Sequence, residues 1–451
     1  MKSYSAKSET NLSYLLTISI IASLGGLMFG FDMAIISGTV PFITDYFDLS
    51  DLQLGWGVSS MLVGAVIGAM FAGNLSDRFG RRRMLIITAL FFAVSALGTG
   101  LAQNFTFFYL MRILGGIAVG AGSALSPMYI SEVSPSQYRG RMVVLYQMSI
   151  VVGILISYIV NYGLHDIGEN NWRWMFASGT LPSVIFFVLL FIVPKSPRWL
   201  YKKGYTNQAY NILKNVGGAA NADYEIAEIK ESLKQAHARF RELFQPGLRR
   251  VMIMGIVLAI LVQMTGINTI IDYAPKVLED VGVEVGEALF YNIGIGLINF
   301  LFTWVAVLLI DRAGRKKLYI VGSAGMVMAM VFLSVAFSLE NVSGILILVF
   351  MFLFISFFAS CIGPVFWTLM SEIFPNKARG TAMSVAVVTN WIFNWLVVFI
   401  FPWMMGSYGG TFTYGFLAVM SLILLIVAVR YLPETKGKTL EEIEMIWQPK
   451  D

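Results

Sequence analysis

Long apolar runs alternate with short polar connections along nearly the whole chain. Each run is long enough to cross the hydrocarbon core of a bilayer, which takes about 20 helical residues. The runs lie at residues 14–36, 55–75, 84–102, 107–131, 142–163, 173–193, 251–274, 288–310, 318–338, 344–370, 380–404 and 412–432. Because each reads as one helical crossing, the pattern predicts an all-α membrane protein with twelve transmembrane helices.

Basic residues cluster in every second connection. Residues 77–83 carry four arginines, and residues 312–317 carry two arginines and two lysines. The first connection instead carries three aspartates at 45–51. Basic loops stay on the cytoplasmic side of a membrane, so the pattern predicts cytoplasmic termini and a cytoplasmic polar segment at 195–250.

Composition narrows the classes of function. Of the 451 residues, 57% are hydrophobic and only 13% are charged, whereas soluble domains carry about 25% charged residues. The single cysteine, Cys361, and the two histidines, His165 and His237, are too few for a metal cluster of these residues. There is no phosphate-binding Gly-Lys-Ser/Thr loop and no basic, aromatic-interleaved segment. We therefore expect no catalytic residues, no metal or cofactor, and no nucleic-acid partner.

Charged motifs of the first half recur in the same order in the second half. Asp77-Arg78-Phe79-Gly80-Arg81-Arg82 corresponds to Asp311-Arg312-Ala313-Gly314-Arg315-Lys316, Glu132 with Arg139-Gly140 to Glu372 with Arg379-Gly380, and Pro194 to Pro433. Ordered repetition indicates two duplicated six-helix halves, with the substrate site between them near the membrane midplane. The predicted domains are an N-terminal bundle, a cytoplasmic linker, a C-terminal bundle and a cytoplasmic tail, at 1–194, 195–250, 251–433 and 434–451.

The polar segment between the halves has its own helical pattern. Ile226, Ile229 and Leu233 fall on one face, with acids and bases around them. This pattern predicts amphipathic helices at the cytoplasmic membrane surface, with a disordered linker as the alternative.

A single carboxylate, Asp32, lies within the first apolar run. A charged aspartate at the centre of a membrane helix costs about 2.5–3.5 kcal/mol, so it needs a partner, a cavity or a proton. Arg112 of the fourth run is the candidate partner, and the pair suits proton coupling because small changes in hydration would change its protonation. Two alternatives remain: Asp32 reaches headgroup water near the helix end, or the pair is a structural salt bridge.

The repeated charged motifs have a second interpretation beyond membrane topology. Arginines of the tight loops can reach glutamates at the ends of neighbouring helices, and such pairs would bind the two halves together on the cytoplasmic side. The predicted latch residues are Asp77, Arg81, Glu132 and Arg139 of the first half and Asp311, Arg315, Glu372 and Arg379 of the second. Topology signals alone remain the alternative.

Several motifs, taken together and in order, resemble the sugar porter family of the major facilitator superfamily. They are Gly25-Gly26 with Gly30-Phe31-Asp32, Gly73 with Asp77 to Arg82, Glu132 with Arg139-Gly140, Gln263 with Gly266-Ile267-Asn268, Gly363-Pro364 with Trp367, Glu372 with Arg379-Gly380, and Pro433 to Gly437. The resemblance is to bacterial proton-coupled sugar symporters. It implies the major facilitator fold of two pseudo-symmetric six-helix bundles, alternating access, and a monomer in the bacterial inner membrane, with a sugar, protons and the lipid bilayer as partners. Proton-coupled members have aspartate at position 32, and uniporters have asparagine.

The resemblance also implies a sugar site. The positions that match family sugar contacts are Phe29, Gln147, Gln263, Asn268, Asn299, Trp367 and Trp391. Amides bond vicinal hydroxyls and indole rings cover the apolar face of a sugar. The chain departs from the family at four positions: Ile154 and Val262 stand where glutamines are common, Asn390 replaces a glutamine, and Asp272 replaces a tyrosine. Hydrogen-bonding sites discriminate strongly between substrates, so these changes should alter the preferred one.

Asp272 leaves several functions open. It could accept sugar hydroxyls, bind a cationic substrate or carry a second proton, or it could cap a gate helix in water. The corresponding alternatives for the whole chain are transport of another polyol, cyclitol or cationic solute, a facilitative uniporter, and a membrane sugar sensor.

Breaks are predicted in two apolar runs. Gly266, Asn268 and Pro275 should interrupt the seventh, as in a discontinuous gating helix, and Gly363-Pro364 should interrupt the tenth. The eleventh should end near Pro402.

Overall fold

The computed structural model describes residues 10–233, 246–339, 342–375, 378–437 and 442, and every regular element in this part of the chain is an α-helix. The first half contains α1 (Leu12–Phe47), α2 (Asp51–Phe79), α3 (Arg81–Gly100), α4 (Phe105–Val133), α5 (Ser136–Leu164), α6 (Asn171–Ser178) and α7 (Thr180–Leu189). The linker forms α8 (Pro197–Lys202) and α9 (Thr206–Ser232). The second half contains α10 (Pro246–Met264), α11 (Ile267–Asp280), α12 (Val285–Ala313), α13 (Arg315–Phe337), α14 (Gly344–Cys361), α15 (Gly363–Ile373) and α16 (Arg379–Arg430).

The prediction of twelve crossings is confirmed. In the described part of the chain, 11 helical stretches are long and apolar enough to span a membrane. The last of them, α16, has 52 residues and turns at Gly409, whose φ is 75°. A turn there divides α16 into two crossings, which completes six in each half.

The predicted interruptions of the seventh and tenth runs are present. The seventh breaks at Gly266, which has left-handed dihedrals (φ 84°, ψ 21°), and the tenth breaks between α14 and α15 at Ile362. Pro275 and Pro402 both lie inside continuous helices, so the eleventh run does not end near Pro402. The membrane tolerates these prolines because neighbouring groups can satisfy the freed carbonyls.

Small residues allow the helices of the first half to approach closely. A Cβ on Gly30 of α1 would overlap the carbonyl oxygen of Ile150 in α5. A Cβ on Gly116 of α4 would overlap that of Met61 in α2. Without a hydrophobic force between helices in lipid, such backbone contact is how membrane helices gain packing energy.

The linker is mostly helical in its described part, which ends at Leu233. Leu213, Ala222 and Ile229 form a small core of their own, and Ile226 packs against it. The predicted apolar face is therefore confirmed for Ile226 and Ile229 but wrong for Leu233, which ends the helix and is 40% exposed. Residues 234–245 and most of the predicted tail lie outside the described residues.

The two halves touch at the end that the charge pattern predicts to be extracellular, called here the outer side. Trp56 of α2 meets Phe399 of α16 edge to face at 6.5 Å, and Tyr162 of α5 lies 5.5 Å from Phe290 of α12. The protein is thus closed at the outer side.

Candidate functional site

Asp32 of α1 and Arg112 of α4 form the buried ion pair that the sequence predicts. Nη1 of Arg112 donates to Oδ1 of Asp32 at 2.8 Å and to its main-chain oxygen at 3.1 Å. Asp32 is 7% exposed and Arg112 is 1% exposed, so Asp32 does not reach headgroup water. Phe176 lies 5.4 Å from the guanidinium and covers it.

The pair uses only part of its bonding capacity. Oδ2 of Asp32 has no hydrogen-bond partner among the described residues, nor do Nε and Nη2 of Arg112. Gly115 of α4 faces the free oxygen, and a Cβ there would lie 2.7 Å from it. A monodentate pair leaves Asp32 one oxygen that can take a proton without first breaking the bond to Arg112.

Three amides of the predicted sugar site form a chain at the break of the seventh run. Asn268 donates to Oε1 of Gln263 at 2.8 Å, and Gln263 donates to Oδ1 of Asn390 at 3.0 Å. Asn390 also donates to the carbonyl of Ala259 at 3.4 Å. The shorter side chain at 390 therefore still holds Gln263, which fixes the orientation of all three amides.

Two aromatic rings, one from each half, contact each other next to this chain of amides in the sequence. Phe29 of α1 lies 5.6 Å from Trp391 of α16, which directly follows Asn390. Trp391 is buried, whereas Trp367 of α15 is 39% exposed and packs on Phe366. Phe29 and Trp391 thus join the halves, and Trp367 remains the most accessible predicted sugar contact.

The other two predicted contacts lie on α5 and α12. Gln147 is half-buried, and Asn299 is buried with its main-chain oxygen bonded to Thr303.

Asp272 lies well inside α11, eight residues before its end, and is 3% exposed. This burial rules out a solvated helix cap. Its Oδ1 has no hydrogen-bond partner among the described residues, and within that part of the chain the charge of Arg112, in the other half, acts on it electrostatically.

The predicted latch of the first half forms, but within that half. Arg81 at the start of α3 binds Glu132 at the end of α4 at 3.1 Å and Asp77 at 2.7 Å. Ser196 donates to Glu132 at 2.5 Å, and Lys202 binds Asp77 at 2.9 Å. The prediction that these pairs join the two halves is wrong for this structure, because all five residues belong to the first half or to the segment following it.

The second half repeats this arrangement. Arg315 donates to both oxygens of Glu372 at 2.8–3.2 Å, and Thr435 donates to the same carboxylate at 2.6 Å. Arg379 donates to the carbonyl of Phe374, and it forms no ion pair with an acid of the described residues. The side chain of Asp311 lies outside the described residues.

Arg139 does not join the latch either. Its Nη2 binds Oε2 of Glu225 in the linker at 3.1 Å. It therefore holds α9 against the start of α5.

Comparison with known proteins assigns the chain to a family. A sequence model described as "Sugar (and other) transporter" matches residues 18–447. The arabinose-proton symporter of Bacillus subtilis (strain 168) is 40% identical over 97% of this chain and 96% of its own length. The chain belongs to the sugar porter family of the major facilitator superfamily. It is a multi-pass membrane transporter and not an enzyme.

Further relatives agree in sequence and in structure. The D-xylose-proton symporter of Escherichia coli (strain K12) is 38% identical over 98% of this chain and 97% of its own length. The inward open structure of the Escherichia coli xylose transporter superposes with a TM-score of 0.86 at 37% identity, over 96% of this chain and 100% of that one. Its structure bound to 6-bromo-6-deoxy-D-glucose superposes at 0.80, at 38% identity over 97% and 100%. The higher score for the inward open form accords with outer contacts that are closed.

Sequence reasoning missed polar side chains where the transporter closes. Asn292 of α12 donates to Ser37 of α1 at 3.0 Å, and Asn161 of α5 donates to the carbonyl of Ile35 at 3.1 Å. Tyr158 donates to Ile271 across the halves at 2.9 Å. The two asparagines interrupt apolar runs, which was the available signal, because uncompensated amides in lipid are costly.

Proposed function

We propose that this transporter moves a monosaccharide together with a proton across the cytoplasmic membrane by alternating access, with Asp32 as the proton site. The observation that carries the proposal is the buried Asp32–Arg112 pair, whose free carboxylate oxygen can accept a proton. The names of two similar proteins, an arabinose-proton and a D-xylose-proton symporter, support the same pair of solutes.

Protonation of Asp32 would remove its charge and weaken its hold on Arg112. The ion pair connects α1 to α4, and α1 also meets the second half through Phe29 and Ser37. A change in this bond can therefore bias the equilibrium between outward-facing and inward-facing states. The proton then enters from outside and leaves inside as the halves rock.

The sugar is expected between the chain of amides and the pair of aromatic rings. Gln263, Asn268 and Asn390 offer donors and acceptors for vicinal hydroxyls, and Trp391 offers a ring face. Pentoses are the first candidates because of the two named relatives. The termini and the linker lie in the cytoplasm in this proposal, in keeping with the basic loops.

The decisive experiment uses Asp32→Asn in proteoliposomes. The amide keeps the shape of the side chain but cannot carry the proton, so we expect no accumulation against a sugar gradient while counterflow exchange stays within about threefold of the parent. Asp45→Asn, an exposed carboxylate of the same helix, should accumulate like the parent.

A substrate panel completes this test. Pentoses, hexoses, cyclitols and amines are compared by counterflow. Accumulation by Asp32→Asn would exclude Asp32 as the carrier, and counterflow of amines alone would replace the sugar with a cationic solute. Wild-type counterflow without proton-driven accumulation would make the protein a uniporter.

A further inference from the structure

Asp272 is a buried carboxylate that the proposed coupling through Asp32 does not use. Two tyrosines lie within its electrostatic influence, Tyr158 of α5 and its neighbour Tyr273. Neither hydroxyl donates to it, because Tyr158 donates to the carbonyl of Ile271 at 2.9 Å and Tyr273 to that of Val398 at 3.0 Å. Oδ1 of Asp272 therefore has no donor among the described residues.

Arg112 is the cation that both carboxylates have in common. It donates to Asp32 through Nη1, while Nε and Nη2 have no partner in the described chain. Asp272 is buried in α11, which packs against α1, the helix of Asp32, and its carboxylate acts electrostatically on the same guanidinium from the opposite half of the molecule. One arginine of the first half thus binds a carboxylate of its own half and is acted on by a carboxylate of the helix that follows the break at Gly266.

The formal charges of this group do not balance. Asp32 and Asp272 together carry two negative charges when ionised, and Arg112 carries one positive charge. An uncompensated charge in a buried site is costly, and two carboxylates that share a site hold one proton between them. One proton makes the group neutral, whichever carboxylate binds it.

We propose that Asp272 and Asp32 bind one proton jointly beside Arg112, and that coupling in this transporter requires both carboxylates. This inference rests on the proposed sugar–proton symport. The proton comes from external water when the outer side closes over Asp272, and it forms an O–H bond with a carboxylate oxygen of the pair. Asp32 gives it up to water on the inner side.

The charge balance makes an unusual prediction about single substitutions. Asp272→Asn leaves Asp32 and Arg112, which are neutral together without a proton. Asp32→Asn leaves Asp272 and Arg112, which are also neutral without one. Either change should uncouple transport, whereas a lone proton carrier at Asp32 would leave Asp272→Asn fully coupled.

Proteoliposome transport tests this difference. We expect Asp272→Asn to lower proton-driven accumulation of the sugar at least tenfold, about the loss expected for Asp32→Asn, with counterflow within about threefold of the parent. Asp280→Asn is the matched control, because Asp280 is an exposed carboxylate of the same helix. Accumulation of sugar by Asp272→Asn at the parental proton-to-sugar ratio would overturn the joint site. This holds even if the KM of the variant is raised, because a raised KM alone would only indicate that Asp272 contacts the sugar.

A structural readout separates this inference from the proposed function. Spin labels at Glu169 and Ser407, both exposed on the outer side, report outer closure in a background where Cys361 is replaced. The closed population of the parent should fall as pH rises, and that of each single variant should not change with pH. The double variant leaves Arg112 uncompensated and should close poorly at every pH.

The outcomes are distinguishable. Parental pH dependence in Asp272→Asn would refute the joint site and leave Asp32 as sole carrier. Failure of the parent to accumulate sugar would instead refute the symport proposal itself.

Discussion

Glu225 is a carboxylate that the linker buries against the start of α5. Its Oε1 accepts the main-chain N–H of Ser136 at 3.2 Å, and its Oε2 accepts Arg139 at 3.1 Å. Burial raises the pKa of Glu225 above its ordinary value of 4.5, and Arg139 opposes that rise. Because the folded pKa is raised, the contribution of Glu225 to docking is full below pH 4.5 and is lost as pH rises through the folded pKa.

Removing the opposing cation should loosen the linker at neutral pH. In Arg139→Gln the ionised carboxylate has no counter-charge, so α9 should detach more often. Arg139 is partly exposed, so we expect a modest effect, about threefold faster hydrogen exchange across α9 at pH 7.5 than in the parent, or about 0.7 kcal/mol.

The effect should shrink below pH 4.5, where Glu225 is protonated. Arg141→Gln, an exposed neighbour, serves as the control. Equal exchange in Arg139→Gln and the parent at pH 7.5 would show that the ion pair does not hold the linker.

The cost of leaving a charge without a partner is large inside the membrane and small near water, and this difference decides which ion pairs a sequence can predict. Asp32 and Arg112 could be paired in advance because a charge in an apolar run must find a partner, and few are available. Arg139 could not be paired with Glu225, because near water many acids compete for an arginine at little difference in free energy.

At the scale of elements, the break in the seventh run depends on the backbone of one residue. Gly266 has a φ of 84°, and a Cβ there would lie 2.6 Å from Cδ1 of Leu417. A left-handed conformation costs an ordinary L-residue about 1–2 kcal/mol, so the dihedral favours glycine, and a Cβ would in addition displace the end of the Leu417 side chain.

Gly266→Ala should therefore disturb the gate. We expect transport to fall at least tenfold, measured by counterflow, while the protein remains in the membrane. Gly282→Ala is the matched control, since Gly282 has a φ of 89° but no described atom within 4 Å of the place of a Cβ. Gly266→Asn should retain more activity than Gly266→Ala if the dihedral dominates, and equal loss in both would assign the effect to the contact with Leu417.

This distinction also explains which breaks could be predicted. Gly266 was predictable because a glycine beside polar residues in an apolar run has few other uses. The prediction at Pro402 was wrong because a proline removes only its own N–H donor, and neighbouring groups in a membrane protein can satisfy the carbonyl that this leaves free. The actual turn is at Gly409, where φ is positive.

At the scale of the whole molecule, hydropathy and repetition were sufficient for the twelve crossings and the two halves. A polar connection placed in the hydrocarbon core would cost several kcal/mol, so the alternation of apolar and polar stretches predicts the crossings well. The side on which the halves meet was not predictable. Outward-facing and inward-facing arrangements of one sequence differ by only a few kcal/mol, and no single motif records that difference.

Outer closure depends on close approach between α2 and α16. Gly55 of α2 faces the carbonyl of Phe399, and a Cβ at Gly55 would overlap that oxygen. The obstacle is backbone, which cannot rotate aside as a side chain can. Gly73 lies further along the same helix and has no described atom within 4 Å of the place of a Cβ.

Gly55→Val should consequently hold the outer side open. Valine at Gly73 carries the same helix propensity cost without the clash, so Gly73→Val is the control. We expect the closed population in Gly55→Val, measured from outer spin-label distances, to fall at least tenfold, or about 1.4 kcal/mol. Sugar should still bind from the outside, but both accumulation and counterflow should decline, because the site no longer opens inward. Parental distances and transport in Gly55→Val would mean that α2 and α16 can separate here without preventing closure, and the seal would then have to lie between α5 and α12.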